Sequence, residues 1–179
     1  YAEALGAWFD FFAFKIGAND DRRVAVVYQD VTARKRREAN AALLAEITND
    51  LARHTSIVDI TRAVGRTLER HLDVPFCEYV ALNVAEDTLT FLGYWNGPDT
   101  SGIPEPLHIS EAALADQVAE ANAGEAMVAH DLSGSPLTYT DGDRLITARA
   151  FVGIPLHRVG DLRFIFGIHD SRPRTWRDD

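Results

Sequence analysis

A stripe of apolar residues at Leu43, Leu44, Ile47, Leu51, Ile57, Ile60, Val64, Leu68 and Leu72 runs through a segment, Ala33 to Leu72, that contains no proline. Spacings of three and four place these side chains on one side of a 3.6-residue helix, so the spacing predicts helix here. The step HTSIVD, His54 to Asp59, offers Thr55 or Ser56 as an N-cap, which predicts two helices or one bent helix. Asp73-Val74-Pro75 ends the segment, because the residue before a proline is pushed out of the helical region. Both flanks of this segment read as strand, and the fold class expected is α+β.

Upstream, AWFDFFAFKIG (Ala7 to Gly17) is aromatic-rich and RRVAVVYQDV (Arg22 to Val31) is rich in β-branched residues, with the turn residues ANDD between them. These predict a β-hairpin. Two strands cannot bury both of their faces, so a packing partner preceding residue 1 is expected. The first residue, Tyr rather than Met, gives the same expectation of a piece of a longer chain.

Downstream, Phe76 to Asn83 and Thr88 to Trp95 predict antiparallel strands, followed by a Gly/Pro loop from Asn96 to Pro106. Ser110 is placed to cap a helix over Glu111 to Asn122. Met127 to His130 reads as a short strand and Asp131 to Thr147 as loop. Two strands close the pattern, Ala148 to Arg158 with Ala150, Val152, Ile154 and Leu156 on one face, and Asp161 to His169 with Leu162, Phe164, Phe166 and Ile168 on one face. The turn RVGD joins them. In SRPRTWRDD, Thr175 is expected to cap a further helix.

With 179 residues, 46% hydrophobic and 25% charged, the chain has the composition of an ordinary globular protein and room for one domain plus a fragment. Residues 1 to 38 carry seven basic and six acidic groups, a net of +1, so the formal charge of −9 leaves −10 for the rest. A mainly acidic surface argues against nucleic acid as a partner, and RKRR (Arg34 to Arg37) reads as a solvated linker. Four cations at a helix start oppose the helix dipole, and Glu38 and Glu46 are expected to offset part of this through pairs with a partner chain. The single cysteine, Cys77, excludes an intramolecular disulfide and suits a reducing, cytoplasmic compartment. No run of 18 apolar residues exists, so neither membrane contact nor a leader is expected.

The run from the aromatic strand through Asp30-Val31-Thr32-Ala33-Arg34-Lys35 resembles the end of a PAS sensory domain and its Asp-Ile/Val-Thr-x-Arg-Lys exit motif. That resemblance implies that Asp30, Thr32 and Arg34 tie the last strand to an outgoing signalling helix. The segments LLAEITNDLARHTSIVDITRAV, FCEYVALN, AHDLSGSP and AFVGIPLHRVGDLRFIFGIHD resemble a GAF domain, with Val152 to Asp170 the most telling part. The organisation implied is a partial PAS hairpin over 1–32, a linker helix over 33–54 merging into the first GAF helix, and a GAF domain over 55–179 lacking its final helix. The GAF-like antiparallel sheet would be flanked by helices. PRTWRDD resembles GAF domains that precede histidine-kinase cores, including the HWE type.

Departures bear on the ligand. No cysteine lies between His130 and Ala150, where self-attaching bilin domains carry one, and the Asn, Lys, Phe, Asp and Glu signature of cyclic-nucleotide binders is absent. A single histidine suffices for haem, and His108 and His130 flank the expected lid, but solvated or capping histidines are the simpler account of them. The histidine separations show no close metal-binding pair. His54 lacks a phosphoacceptor's sequence context. His130 and Asp131 cannot readily orient one another for Ser133 or Ser135, and TDGD lacks the remaining ligands of a calcium loop. The cofactor stays unknown.

The function these features imply is a sensory and dimerising module of a bacterial two-component phosphorelay protein, a sensor histidine kinase. It would have no catalytic activity of its own, form a homodimer through its linker helices, and act on a kinase domain in cis. The alternatives are a dimerisation spacer that binds nothing, and a haem or small-molecule sensor of another output protein. A sulfoxide reductase would need lid cysteines. Candidate ligand-binding residues are Tyr94, Trp95, His108, Val128, His130, Leu137, Tyr139 and Phe151, because apolar walls with a few polar groups suit a small ligand.

Overall fold

Strands β1 (Phe9–Ile16) and β2 (Arg23–Asp30) pair antiparallel in unbroken register from Phe9↔Asp30 to Ile16↔Arg23. This computed structural model of the protein describes residues 1–17, 23–98, 100, 102–109, 123–134, 137–141, 144–159 and 162–177. The chain forms two compact units, Tyr1–Ala45 and Glu46–Asp178. In the first, the alternating register sets Phe11 beside Tyr28 on one face and Phe12 beside Val27 on the other. Both faces stay open: Phe11, Phe12 and Tyr28 are all more than 70% exposed.

Helix α1 (Thr32–Arg53) buries none of its residues, and Leu44 and Leu51 are exposed. Glu38 draws in Arg34 and Lys35 of the same helix, at 3.3 and 3.4 Å. Glu46 pairs with Arg70 and His71 of α2 (Ile57–Leu72). The break at His54–Ser56 gives two helices, with Ser56 at the N-cap position though its side chain makes no capping bond. Asp73 closes α2 in the left-handed conformation, its N–H donating to the Glu69 carbonyl.

The second unit is built on a six-stranded antiparallel sheet in the order β5 (Leu107–His108), β4 (Thr88–Asn96), β3 (Phe76–Asn83), β10 (Leu162–Asp170), β9 (Ala150–Val159), β6 (Met127–Ala129). Helix α2 lies on β4 and β3, and two glycines allow the approach. A Cβ on Gly65 would stand 2.3 Å from Trp95 Cγ, and one on Gly93 would stand 2.1 Å from Thr61 Oγ1. Thr61 instead donates its hydroxyl to the Ile57 carbonyl, and Thr67 donates to Asp50, which ties the end of α1 to α2.

One expectation is corrected. The segment expected as loop holds a separate hairpin, β7 (Leu137–Asp141) with β8 (Arg144–Ala148), because Thr138, Thr140, Ile146 and Thr147 favour pleated chain despite the Asp/Gly step between them. On β9 and β10 the buried face is not the one with the apolar alternation. Phe151, Gly153, Arg163, Ile165, Gly167 and His169 are buried, whereas Ile154 and Leu156 are exposed. Tertiary cover, not side-chain polarity, sets burial there. Ser171 to Arg177 runs irregularly across the unit, and the helix expected after Thr175 lies outside the described residues. Arg174 donates from its backbone to the His130 carbonyl and from its guanidinium to the carbonyls of Leu72 and Asp73, while Trp176 Nε1 donates to the Ala129 carbonyl at 3.0 Å. The helix capped by Ser110 lies outside the described residues. Among the described residues, no helix is long and apolar enough to cross a membrane.

Candidate functional site

The exit from β2 into α1 is a closed set of bonds. Asp30 Oδ1 accepts from the Thr32 N–H at 2.9 Å, satisfying one of the donors a helix start leaves open. The Thr32 hydroxyl accepts from the Trp8 N–H at 2.9 Å, and the Val31 N–H donates to the Trp8 carbonyl at 2.8 Å. Arg34 reaches back to Asp10 on β1 at 2.8 Å. Hydrogen bonds from the Thr32 hydroxyl, then from its N–H, hold the Asp30 carboxyl below its ordinary range. Asp30, Thr32 and Arg34 thus meet at one corner, where hairpin and helix are joined.

The sheet face away from α2 carries two adjacent rows of residues. Strand register sets Asn96, Phe76, His169, Phe151 and Ala129 in one row, and Tyr94, Glu78, Gly167, Gly153 and Met127 in the next. This face holds the hydrophobic core, including Phe76, Val80, Phe91, Tyr94, Met127 and Ile165, joined by Ile109, Ile146 and Ala148. Into that apolar surface the rows insert polar groups. His169 Nε2 and Glu78 Oε1 are 2.8 Å apart, with side chains 4% and 10% exposed. A carboxylate only accepts, so the ring nitrogen donates. The His169 ring lies between Phe76, 5.7 Å away, and Phe151, stacked at 5.8 Å.

The two glycines of the second row make space for this arrangement. A Cβ on Gly167 would sit 3.0 Å from Glu78 Oε1 and 3.2 Å from His169 Nε2, and one on Gly153 would meet Met127 Cε at 2.3 Å. Two further polar atoms on this face, Glu78 Oε2 and Asn96 Nδ2, are fully shielded from solvent and have no hydrogen-bond partner among the described residues. Each such atom carries a desolvation cost of about 1–3 kcal/mol. The described residues hold no cluster of three or more His, Cys, Asp or Glu that could bind a metal ion.

Of the residues selected from sequence, Tyr94 and Phe151 lie on this face and are buried. Trp95 faces the other way, against Gly65 of α2 with the Arg66 guanidinium 5.6 Å above its ring, because its neighbour Tyr94 occupies the core side of β4. Val128 is likewise on the opposite face from Met127 and is half exposed. His108 is exposed on the edge strand β5, 3.8 Å from Asp87. His130 accepts through Nδ1 from the Trp176 N–H, at the edge of the sheet. Leu137 and Tyr139 belong to β7, where Leu137 pairs with Ala148 and Tyr139 with Ile146.

Sequence reasoning did not select Glu78, Asn96 or His169 as part of a single site. The available signal was a charged residue, Glu78, in an otherwise apolar strand whose two faces are both buried. Asp131 and Ser133 form the expected turn, the Ser133 N–H donating to Asp131, with Arg149 bonded to the Ser133 hydroxyl. Cys77, on the α2 side of β3, is buried, and desolvation pushes its thiol well above the ordinary range, which disfavours the thiolate.

No protein-family model matches the sequence, and no curated protein does either. Solved structures do match. The GAF domain of an Acinetobacter phosphoenolpyruvate-protein phosphotransferase covers 78% of this chain and 81% of its own, with a TM-score of 0.57 and 14% identity. A free methionine-R-sulfoxide reductase from Neisseria meningitidis, in complex with its substrate, covers 76% and 75% with a TM-score of 0.53 and 12% identity. The phycocyanobilin-bound GAF domain of a cyanobacterial phytochrome covers 77% and 83%, with a TM-score of 0.52 and 10% identity. At these identities the likeness defines the architecture: the chain has a GAF-like α+β fold, a six-stranded antiparallel sheet with helices.

Proposed function

We propose that this chain is the sensory and relay module of a bacterial signal-transduction protein, a sensor histidine kinase, and carries out no catalytic step of its own. The observation that carries this reading is the polar cluster of Glu78, His169 and Asn96, buried among apolar side chains on the face of the sheet away from α2. Replacing a buried ion pair by apolar residues is often neutral or stabilising, so such a cluster is better accounted for by recognition than by stability. Two of the structural neighbours hold a bilin and a substrate, which supports reading the GAF-like fold as a ligand carrier. The inert Cys77 argues against reductase chemistry in this chain.

The relay follows the contacts. Strands β3 and β4 present Glu78 and Asn96 to the ligand face and Trp95 and Gly93 to α2. A displacement of these strands by a ligand would reach α2 through the tight Gly65–Trp95 and Gly93–Thr61 contacts. It would then reach α1 through the Thr67–Asp50 and Arg70–Glu46 bonds. A close-packed interface passes on such a shift because it cannot absorb it. The α1 helices would pair in a homodimer, the bonds at Asp30, Thr32 and Arg34 would couple a PAS-type hairpin to the same helix, and a kinase domain in cis would read their state in the cytoplasm.

Native mass spectrometry with hydrogen exchange tests the reading. A bound small molecule whose removal raises exchange in α1 and α2 is the expected result. An empty dimer with unchanged exchange would instead assign a spacer role, and phosphate incorporation from ATP into this chain would overturn the non-catalytic assignment.

A further inference from the structure

The identity of the unsatisfied atoms specifies more than the presence of a ligand. Glu78 Oε2 can only accept a hydrogen bond while the carboxylate is ionised, and Asn96 Nδ2 can only donate one. Register places Glu78 opposite Tyr94 and Asn96 opposite Phe76, so the two polar residues occupy one diagonal of a four-residue square and two aromatic rings the other. Diagonal neighbours on one face of an antiparallel pair lie roughly 7 Å apart, a gap that one small group can bridge. The other carboxylate oxygen is engaged by His169, so Glu78 is fixed in orientation and not free to turn away.

From this geometry we infer that the site takes a small, planar, uncharged molecule with an amide-type edge. Its N–H donates to Glu78 Oε2, its adjacent carbonyl accepts from Asn96 Nδ2, and its ring packs against Phe76 and Tyr94. An anionic ligand would meet the Glu78 carboxylate at close range in a desolvated site and is disfavoured. A hydrocarbon would leave both polar atoms unsatisfied. A water molecule could make the same two bonds but would make no ring contact with Phe76 and Tyr94. The inference rests on the sensory reading above, because it concerns the same face of the sheet.

The test uses three probes of similar size on the intact chain: 2-pyridone, which has the N–H and carbonyl on one edge; benzoate, which is anionic; and toluene, which has neither group. Heteronuclear NMR should show saturable shifts with 2-pyridone, centred on residues 76–78 and 94–96, and none with benzoate. Asn96→Leu, which removes the donor, should weaken 2-pyridone about tenfold or more. Glu78→Gln keeps an acceptor for His169 but turns an NH₂ toward the ligand's N–H, and it should weaken 2-pyridone to a similar degree while the chain stays folded. Glu86→Ala, in the turn between β3 and β4, should leave binding unchanged.

Equal binding of all three probes, retention of 2-pyridone affinity in both site variants, or no saturable binding of 2-pyridone would overturn the inference. Its failure is distinguishable from failure of the sensory reading. If the purified chain carries a molecule of other chemistry on this face, only the amide-edge class falls. If the chain is empty and no probe shifts it, and a high-resolution structure shows only a bridging water, both fall.

Discussion

His169 and Glu78 form a pair whose value depends on both partners being present. Glu78→Ala removes the acceptor of the His169 Nε2 in a nearly dry site, and His169→Leu leaves a carboxylate without its donor. Each is expected to cost about 3–5 kcal/mol, measured by denaturant titration. The double replacement Glu78→Leu/His169→Phe should recover most of that loss, because it removes both desolvated groups together. Gly65 is a second sensitive position. Gly65→Ala would normally favour a helix, but its Cβ falls 2.3 Å from Trp95 Cγ, so the helix or the indole must move. The expected outcome is a destabilisation of about 1–3 kcal/mol. Glu78 was visible in the sequence as a charge in an apolar strand, but its partner was not, because Glu78 and His169 are 91 residues apart and only sheet register brings them together.

Helices α1 and α2 were legible as elements because their apolar spacing is strong and their break is marked by HTSIVD. Their contacts were not. Glu46 is held below the usual carboxylate range chiefly by hydrogen bonds from Arg70 and then His71. A carboxyl whose folded value is depressed contributes stability that is present above its unfolded value, ordinarily ~4.3, and is lost as pH falls through the lower folded value. The contact between the end of α1 and α2 should therefore loosen on acidification below about pH 4, read as faster hydrogen exchange in residues 46–53. Glu46→Gln should remove that pH dependence while leaving α2 folded. Strands β9 and β10 show the converse limit. Their positions were legible from composition, but the sealed face was not, since Gly153, Gly167 and His169 carry no strong hydrophobic signal. The β7–β8 hairpin was missed because Pro136, Gly134 and the TDGD step outweighed its β-branched residues in a reading from local sequence.

The two units differ in how much they bury. The second has a continuous core on one sheet face, and the hairpin of the first leaves aromatic residues exposed on both sides. Helix α1 has residues in both units and shows Leu44 and Leu51 on its surface. The proposed dimer places these in the seam, so Leu44→Glu/Leu51→Glu is expected to convert a dimer to a monomer in multi-angle light scattering without changing the exchange protection of β3 and β10. A wild-type monomer at all concentrations would refute that arrangement. By itself, the sequence determined the elements with strong periodicity, the hairpin, the two helices and the main strands, together with the α+β class, because local spacing encodes which residues can share a face. The tertiary structure alone decided which face is buried and which distant residues meet. Burial depends on what packs above a strand, and the meeting of Glu78, Asn96 and His169 depends on strand order and register, which no local stretch of chain contains.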